Sequence, residues 1–394
     1  MVEWKKLGDI MQIARGASPR PIKNFITSDE DGVNWIKIGD VSPNDKYITK
    51  TNEKITKEGA SKSRLLHSGD FVLSNSMSFG RPYILKIDGC IHDGWIFMSG
   101  YKNSVIAGYL YEVLNSDFVQ KYWRTKANNG GAMTNLNSDI VRATSIPIPS
   151  LEEQNRIVGI LDTFTDSIEN LKQQIAQRRK QYEFYRDHLL DLEGKPTEDI
   201  KAIGDYCTMI KGNGVQKTDF VENGIGCIHY GQIYTHYGSF TYSTNKFVTK
   251  EVFVKAKKAS KGDLILTDTS ENVEDICKTV AYLGEDDIAV SNHALIIKHE
   301  QNPKFLSYST LTKSFFNQKR KYAYGVKVTG IKPEHLARFL IYLPSIEEQS
   351  RIVSILDTFE ASISNLEAQL AQRQKQYEYY RNKLLSFGNG DGES

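Results

Sequence analysis

Apolar residues recur at alternating steps of three and four along two stretches of this chain. The first runs Leu161, Phe164, Ile168, Leu171, Ile175, Tyr182, Tyr185, Leu189 and Leu192, and the second Leu356, Phe359, Ile363, Leu366, Leu370, Tyr377, Tyr380, Leu384 and Phe387. A repeat of about 3.5 residues keeps one apolar stripe facing a partner helix, which is what a coiled-coil seam requires. Each stretch opens on a helix start signal, Pro149-Ser150-Leu151-Glu152-Glu153 and Pro344-Ser345-Ile346-Glu347-Glu348. The serine caps the first turn, the glutamate three residues on is placed to reach back to the serine amide, and the acidic pair suits the positive end of the helix dipole. Gly194 and Pro196 end the first helix. Arg178 and Arg373 interrupt the two seams at the same place. Two readings fit: a poor seam position that fixes register, or aliphatic stems lying along the seam with the charge outside.

The two helices are copies of one another. Residues 149–190 recur as 344–385 at a constant displacement of 195, without gaps and with 29 of 42 positions identical. At a rise of 1.5 Å per residue, such a helix makes a rod roughly 60 Å long. The intervening segment has the size of a domain with a radius of gyration of roughly 15 Å, too short to carry the chain back along the rod. The copies are therefore expected to pack antiparallel within the chain, as a pseudo-two-fold-symmetric coiled coil. A structural stalk or a homodimerisation device is the other use of such helices.

Between the copies the pattern changes to short alternating or continuous apolar runs. Leu7-Gly8-Asp9-Ile10 answers to Ile203-Gly204-Asp205-Tyr206, and Ser68-Gly69-Asp70 before Phe71-Val72-Leu73 answers to Lys261-Gly262-Asp263 before Leu264-Ile265-Leu266. Gly-Asp ahead of an apolar run predicts a turn entering a strand. Trp35–Ile38 and Tyr83–Ile87 also read as strands, while Asn115-Ser116-Asp117 and Asn302-Pro303 read as helix caps. The expected fold class is thus mixed α/β, with globular domains over 1–148 and 197–343. The helical segments cover 149–196 and 344–394, the second closing in a frayed glycine-rich tail from Gly388.

Charge separates the segments further. Residues 1–148 carry 19 basic against 15 acidic side chains and 197–343 carry 19 against 16, whereas 149–196 carry 7 against 9 and 344–394 carry 5 against 8. A polyanion would therefore meet the variable domains before the helices. The bulk composition, 40% hydrophobic and 25% charged, is that of an ordinary globular chain. The start of the chain has no signal-peptide run and nothing approaches a membrane span, so the expected location is the cytoplasm. Cys90, Cys207, Cys227 and Cys277 are far apart and read as buried thiols rather than a zinc site.

Motifs for catalysis are missing: there is no phosphate-loop lysine motif, no glycine fingerprint for a nucleotide cofactor, no H-E-x-x-H and no Asn-Pro-Pro-aromatic signature. Asp268 and Glu271 read as turn acids rather than a metal pair. No catalytic residue, metal or cofactor is expected on this chain. What the variable domains do offer is loops able to touch phosphates and base edges. In the first domain the candidates are Arg15, Ser18, Arg20, Lys37, Asn75, Ser76, Ser78, Arg81, Asn128 and Asn129. In the second they are Lys211, Asn213, Gln216, Lys217, His229, Gln232, Thr267, Thr269, Lys319 and Lys321. Arg and Lys reach guanine acceptors, Asn and Gln suit adenine, and amides beside glycine hold phosphates. The basic run Lys319-Arg320-Lys321 reads equally well as a solvated helix face.

Two variable segments alternating with two copies of a helix opened by Pro149, Glu153, Gln154, Arg156 and Ile157, and again by Pro344, Glu348, Gln349, Arg351 and Ile352, resemble the DNA-specificity subunit of type I restriction-modification systems. The resemblance spans essentially the whole chain. It implies that each variable domain is a target-recognition domain for one half of a split double-stranded DNA site. The helices would set the half-site spacing, on the order of one helical turn of DNA between centres, and would dock two modification subunits on their outward faces. Those partners would carry S-adenosylmethionine and connect to ATP-driven restriction subunits, while this chain would have no catalysis of its own. Because the two variable domains differ, the target would be asymmetric.

Overall fold

The structure, a computed structural model, describes residues 2–43, 45–75, 79–127, 135–325 and 327–387. Six helices carry the argument: α1 (Ala107–Leu114), α2 (Asp117–Ala127), α3 (Leu151–Leu190), α4 (Pro303–Ser309), α5 (Lys313–Tyr322) and α6 (Ile346–Leu385). The chain divides into two compact units, residues 1–172 with 369–394, and residues 173–368. Each unit therefore contains one α/β head, the first half of one long helix and the second half of the other.

The head of the first unit has two five-stranded sheets. One orders Gln12–Arg15, Trp95–Ser99, Phe71–Ser74, Pro82–Leu85 and Tyr47–Ile48; the other orders Ile26–Thr27, Glu53–Ile55, Val33–Ile36, Gly89–Ile91 and Arg64–Leu66. The head of the second unit repeats the plan. Its five-stranded sheet orders Thr208–Lys211, Ala294–Lys298, Leu264–Thr267, Thr279–Tyr282 and Phe240–Thr241, and its four-stranded sheet Lys246–Val248, Ile225–Ile228, Ile288–Val290 and Lys257–Ala259. The central strands, Phe71–Ser74 and Leu264–Thr267, are buried at every residue, which accounts for their unbroken apolar reading. Both are entered through the same turn. Gly69 and Gly262 take φ of +98° and +93°, a left-handed conformation that glycine adopts without steric cost. The aspartate that follows then accepts from the amide three residues earlier, His67 to Asp70 at 2.9 Å and Ser260 to Asp263 at 2.6 Å. The other Gly-Asp pair behaves differently: Gly8-Asp9 and Gly204-Asp205 lie within short helical turns, and the strands begin only at Gln12 and Thr208. Two predicted strands also end early, at Ile36 and at Leu85.

The long helices pack together antiparallel within each unit. In the first unit Phe164 of α3 stacks on Tyr380 of α6 with centroids 5.3 Å apart, and in the second Tyr185 of α3 stacks on Phe359 of α6 at the same 5.3 Å. The arginines that interrupt the seams lie over these rings, Arg373 5.7 Å from the Phe164 centroid and Arg178 5.8 Å from that of Phe359. The interruption is thus a cation–π contact that keeps the seam closed while the guanidinium stays part-solvated.

Each helix also enters the core of a head. Ile157 and Leu161 from the start of α3 and Leu385 from the end of α6 belong to the cluster built on Trp123, Tyr109 and Phe71. Ile352, Val353 and Leu356 from the start of α6 and Leu190 from the end of α3 join Phe305, Phe315 and Phe339 in the second unit. Leu192 and Phe387 lie just beyond the helix ends and pack against these same cores. Of the four thiols, Cys90, Cys227 and Cys277 are buried and Cys207 is half-buried. No helix among the described residues is long and apolar enough to cross a membrane.

Candidate nucleic-acid interface

Within each head the two sheets meet where one strand runs past the turn of another, and this crossing depends on a glycine. A Cβ at Gly16 would lie 2.2 Å from the carbonyl oxygen of His92, and one at Gly212 would lie 2.2 Å from that of Ser291. The amides on either side close the same bonds, Gly16 to Trp95 at 2.8 Å and Gly212 to Ala294 at 2.9 Å. Gly212→Ala is accordingly expected to lower the stability of the second unit by several kcal/mol, since backbone on both sides must move. A melting curve within a degree or two of the parent would contradict this.

The crossing gathers Arg15, Ser18, Arg20 and Asn75 of the first domain's candidates onto one residue, Asp93. Ser18 Oγ donates to Asp93 Oδ1 at 3.0 Å and Arg20 to Oδ2 at 3.2 Å, while Arg15 Nε donates to the Asp93 carbonyl at 2.6 Å and Asn75 Nδ2 reaches the same carbonyl at 3.4 Å. Partial burial works to raise the Asp93 carboxyl, but the Ser18 and Arg20 hydrogen bonds and the His92 and Arg15 charges outweigh it and hold it below the usual carboxylate range. Arg15 and Arg20 are exposed and oriented by this anchor, a pre-organised pair of forks for phosphate or guanine. Arg81 donates to the Pro43 carbonyl. Lys37 is spent on Glu53 at 2.6 Å, within the other sheet's surface. Ser76, Ser78, Asn128 and Asn129 lie outside the described residues, as does the tail from Gly388.

The second domain builds its crossing around Asp268. Its backbone matches that of Asn75: each donates to the residue that precedes the next strand, Gly94 or His293, at 3.2 Å, and each carbonyl accepts an amide, from Leu136 at 2.9 Å or Ile331 at 3.0 Å. The side chains differ. Asp268 is 4% exposed, its Oδ2 lies 3.2 Å from Lys211 Nζ, and its Oδ1 has no hydrogen-bond partner, with His293 Nδ1 at 4.0 Å. His293 is held at φ +63°, a conformation uncommon outside glycine and one that concentrates at functional positions. Beside it is a cavity of about 640 Å³ lined by Lys217, Tyr230, Tyr234, Thr269 and His293.

The remaining candidates serve the fold more than the surface. Thr267 is fully buried within its strand, and His229 and Gln232 form a buried cap in which Gln232 Oε1 accepts the His229 amide at 2.9 Å. Asn213 Oδ1 accepts the Lys257 amide at 3.1 Å. Gln216 and Lys321 are exposed, Lys321 with its ammonium 5.3 Å from the Tyr322 ring. Lys319 corrects the expectation of a solvated or phosphate-facing cation: it is 6% exposed, and its ammonium donates to the carbonyls of Glu274 at 2.9 Å and Ile276 at 2.8 Å. Burial pushes its pKa down. Asp93 and His293 escape a search of the sequence for cations and amides, because the first is an anchor of the wrong charge and the second is defined by its backbone conformation.

Each head is joined to its long helix by a glutamine. Gln154 Oε1 accepts the Ile106 amide at 2.9 Å, ahead of α1, while its Nε2 donates to the carbonyls of Ser104 at 3.1 Å and Pro149 at 3.0 Å. Gln349 does the same with the Asn302 amide at 3.0 Å, Gln301 Oε1 at 2.9 Å and the Pro344 carbonyl at 2.8 Å. Both glutamines are fully buried. The serine caps form as expected, Ser150 and Ser345 accepting the amides of Glu153 and Glu348 at 3.3 Å. The glutamates instead pair with arginine one turn on, in two 2.7 Å bonds each to Arg156 and to Arg351. Bidentate pairing outcompetes the single bond back to the serine amide.

Each unit joins an α/β head, with a polar crossing beside its central strand, to paired stretches of a duplicated helix. The family model for the type I restriction modification DNA specificity domain matches residues 1–178 and again 198–374, and the chain belongs to that family, whose members recognise DNA sequence. A Haemophilus influenzae protein named as a type I restriction enzyme specificity subunit is 26% identical over 407 residues, covering 98% of this chain and 96% of the other. The Escherichia coli EcoR124I/EcoR124II specificity subunit is 30% identical over 266 residues, covering 61% and 63%. In fold the chain is similar to a solved chain from a study of complex assembly and conformational transition of the type I R-M system, with a TM-score of 0.67, 17% identity and coverage of 99% and 98%.

Proposed function

We propose that this chain is a non-catalytic reader of a split, asymmetric DNA site, with 1–148 and 197–343 as its two target-recognition domains. Each would read one half-site through the crossing beside its central strand. The helices, as segments 149–196 and 344–394, would set the spacing and dock two modification subunits, which would supply S-adenosylmethionine chemistry and the link to ATP-driven restriction subunits. The cytoplasm, where such a complex meets DNA, is the proposed location.

The observation that carries this reading is the pair Asn75 and Asp268. One backbone station, held by the same two main-chain hydrogen bonds in both heads, carries an amide in one head and a carboxylate in the other. An amide suits adenine, whereas a carboxylate only accepts, from an amino group such as that of cytosine. Shared scaffolding with different chemistry at the same point is what two unlike half-sites require.

Co-expression with the modification subunits, followed by mapping of methylated adenines across a genome, tests the reading. Exchange of residues 197–343 for the corresponding domain of another family member is expected to change one half of the methylated sequence and leave the other half intact. A change in both halves, or in neither, would show that the domains do not read separately.

A further inference from the structure

We propose that the cavity between α2 and the C-terminal end of α6, within the first unit, holds a backbone phosphate of the bound DNA, so that Arg381 of the spacer helix is itself a DNA contact. The inference rests on the DNA-reading function proposed above. The cavity has a volume of about 720 Å³, and its walls carry four cations, Arg81, Lys121, Arg124 and Arg381, against two acids, Asp117 and Glu378. Asp117 is already engaged, accepting from Asn382 Nδ2 at 2.7 Å. Lys121 and Arg124 stand exposed, one helical turn apart on α2.

Arg381 is what distinguishes this cavity from a solvated basic face. Its Nε is buried without a hydrogen-bond partner among the described residues, and its guanidinium lies 5.2 Å from the Tyr377 ring. Glu112 accepts from the Tyr377 hydroxyl at 2.7 Å and feels the Arg381 charge without a hydrogen bond to its Nε. Burial pushes the Glu112 carboxyl up, toward the neutral acid, which makes it a weak counter-ion. The duplicated helix supplies the comparison. Arg186, the same position in the other copy, is neutralised by its neighbour Asp187 through bonds of 2.9 and 2.8 Å. At the second copy that neighbour is Asn382, which turns instead to α2, where its Oδ1 accepts the Asp117 amide at 3.0 Å. One substitution has thus removed the neighbouring carboxylate's hydrogen bonds from the guanidinium in the first unit alone. A planar fork with an unmet donor, in a net positive cavity, is suited to a tetrahedral oxyanion. DNA is favoured over an acidic protein segment because the wall includes Phe79 and Arg81, which, like Asn75, follow the central strand Phe71–Ser74.

The test uses the complex with modification subunits and a duplex bearing its mapped site, with affinity followed against salt. Arg381→Gln and Arg124→Gln are each expected to weaken binding several-fold and to make the log–log salt dependence shallower by about 0.9 per contact removed, with the methylated sequence unchanged. Arg186→Gln is expected to leave the salt dependence as it was. Wild-type slopes in both Arg381→Gln and Arg124→Gln overturn the proposal. So does loss of modification subunits from these variants with the salt slope intact, which would assign the cavity to a protein carboxylate. If Arg381→Gln does not fold, Arg124→Gln and Lys121→Gln, both on the exposed face of α2, decide alone. A wild-type complex without sequence-selective, salt-dependent binding would instead refute the DNA-reading function itself.

Discussion

Insertion of four residues into each long helix, after Gln174 in α3 and after Gln369 in α6, is expected to lengthen the gap between the half-sites by about one to two base pairs while leaving both half-site sequences unchanged. The two insertion points lie opposite one another by the register that pairs Phe164 with Tyr380 and Tyr185 with Phe359. Four residues add about 6 Å of helix, against about 3.4 Å per base pair. They also add slightly more than one turn, a stutter that an antiparallel coiled coil absorbs by local unwinding. Neither insertion touches a head: the residues that enter the head cores, Ile157 and Leu161 at one end and Leu385 at the other, lie well clear of both points. Inserting into one helix only is expected to unpair the seam and abolish methylation. Methylated sites with the original spacing in the double insertion would show that something other than the helices measures the gap.

Gln154→Leu is expected to cost about 3 kcal/mol or more in the stability of the first unit and to weaken recognition of its half-site. The substitution keeps the volume but removes one acceptor and two donated bonds from a fully buried position. The buried Pro149 carbonyl and the half-buried Ile106 amide and Ser104 carbonyl would then lose their partner, and each such group costs about 1–3 kcal/mol when left without one. Thermal unfolding of the parent and variant measures the stability change. Site mapping separates the two heads: the half-site of the first domain should become degenerate while that of the second, held by the intact Gln349, stays sharp. A variant as stable as the parent would mean that the glutamine does not fasten the head to its helix.

The two parts of this fold were unequally legible in the sequence. The helices announce themselves because a seam is a local, periodic requirement and the duplication doubles the signal. Even the arginine interruptions were visible, although only the packing chose between the two explanations, by placing Arg178 and Arg373 over facing phenylalanines. Serine caps were legible as well, but the partner of Glu153 was not, since Arg156 competes for it through two bonds. The heads were harder. Their strands come from positions far apart in sequence, as where Trp95–Ser99 pairs with Gln12–Arg15 on one side and Phe71–Ser74 on the other. Only residue types could be nominated for the DNA surface, and type does not distinguish an exposed Arg20 from a Lys319 whose ammonium is consumed by two carbonyls.

What the sequence by itself determined was the duplication, the antiparallel pairing of its copies and the mixed α/β character of the segments between them. These follow from periodicity, from chain length and from the geometry of a rise per residue. The tertiary structure alone decided which polar side chains converge on Asp93 and Asp268, which glutamines fasten heads to helices, and which of two equivalent arginines keeps an Nε without a hydrogen-bond partner. Such outcomes depend on contacts between residues distant along the chain. No local pattern encodes them, because a side chain's partner is fixed only when the backbone that carries it has been folded into place.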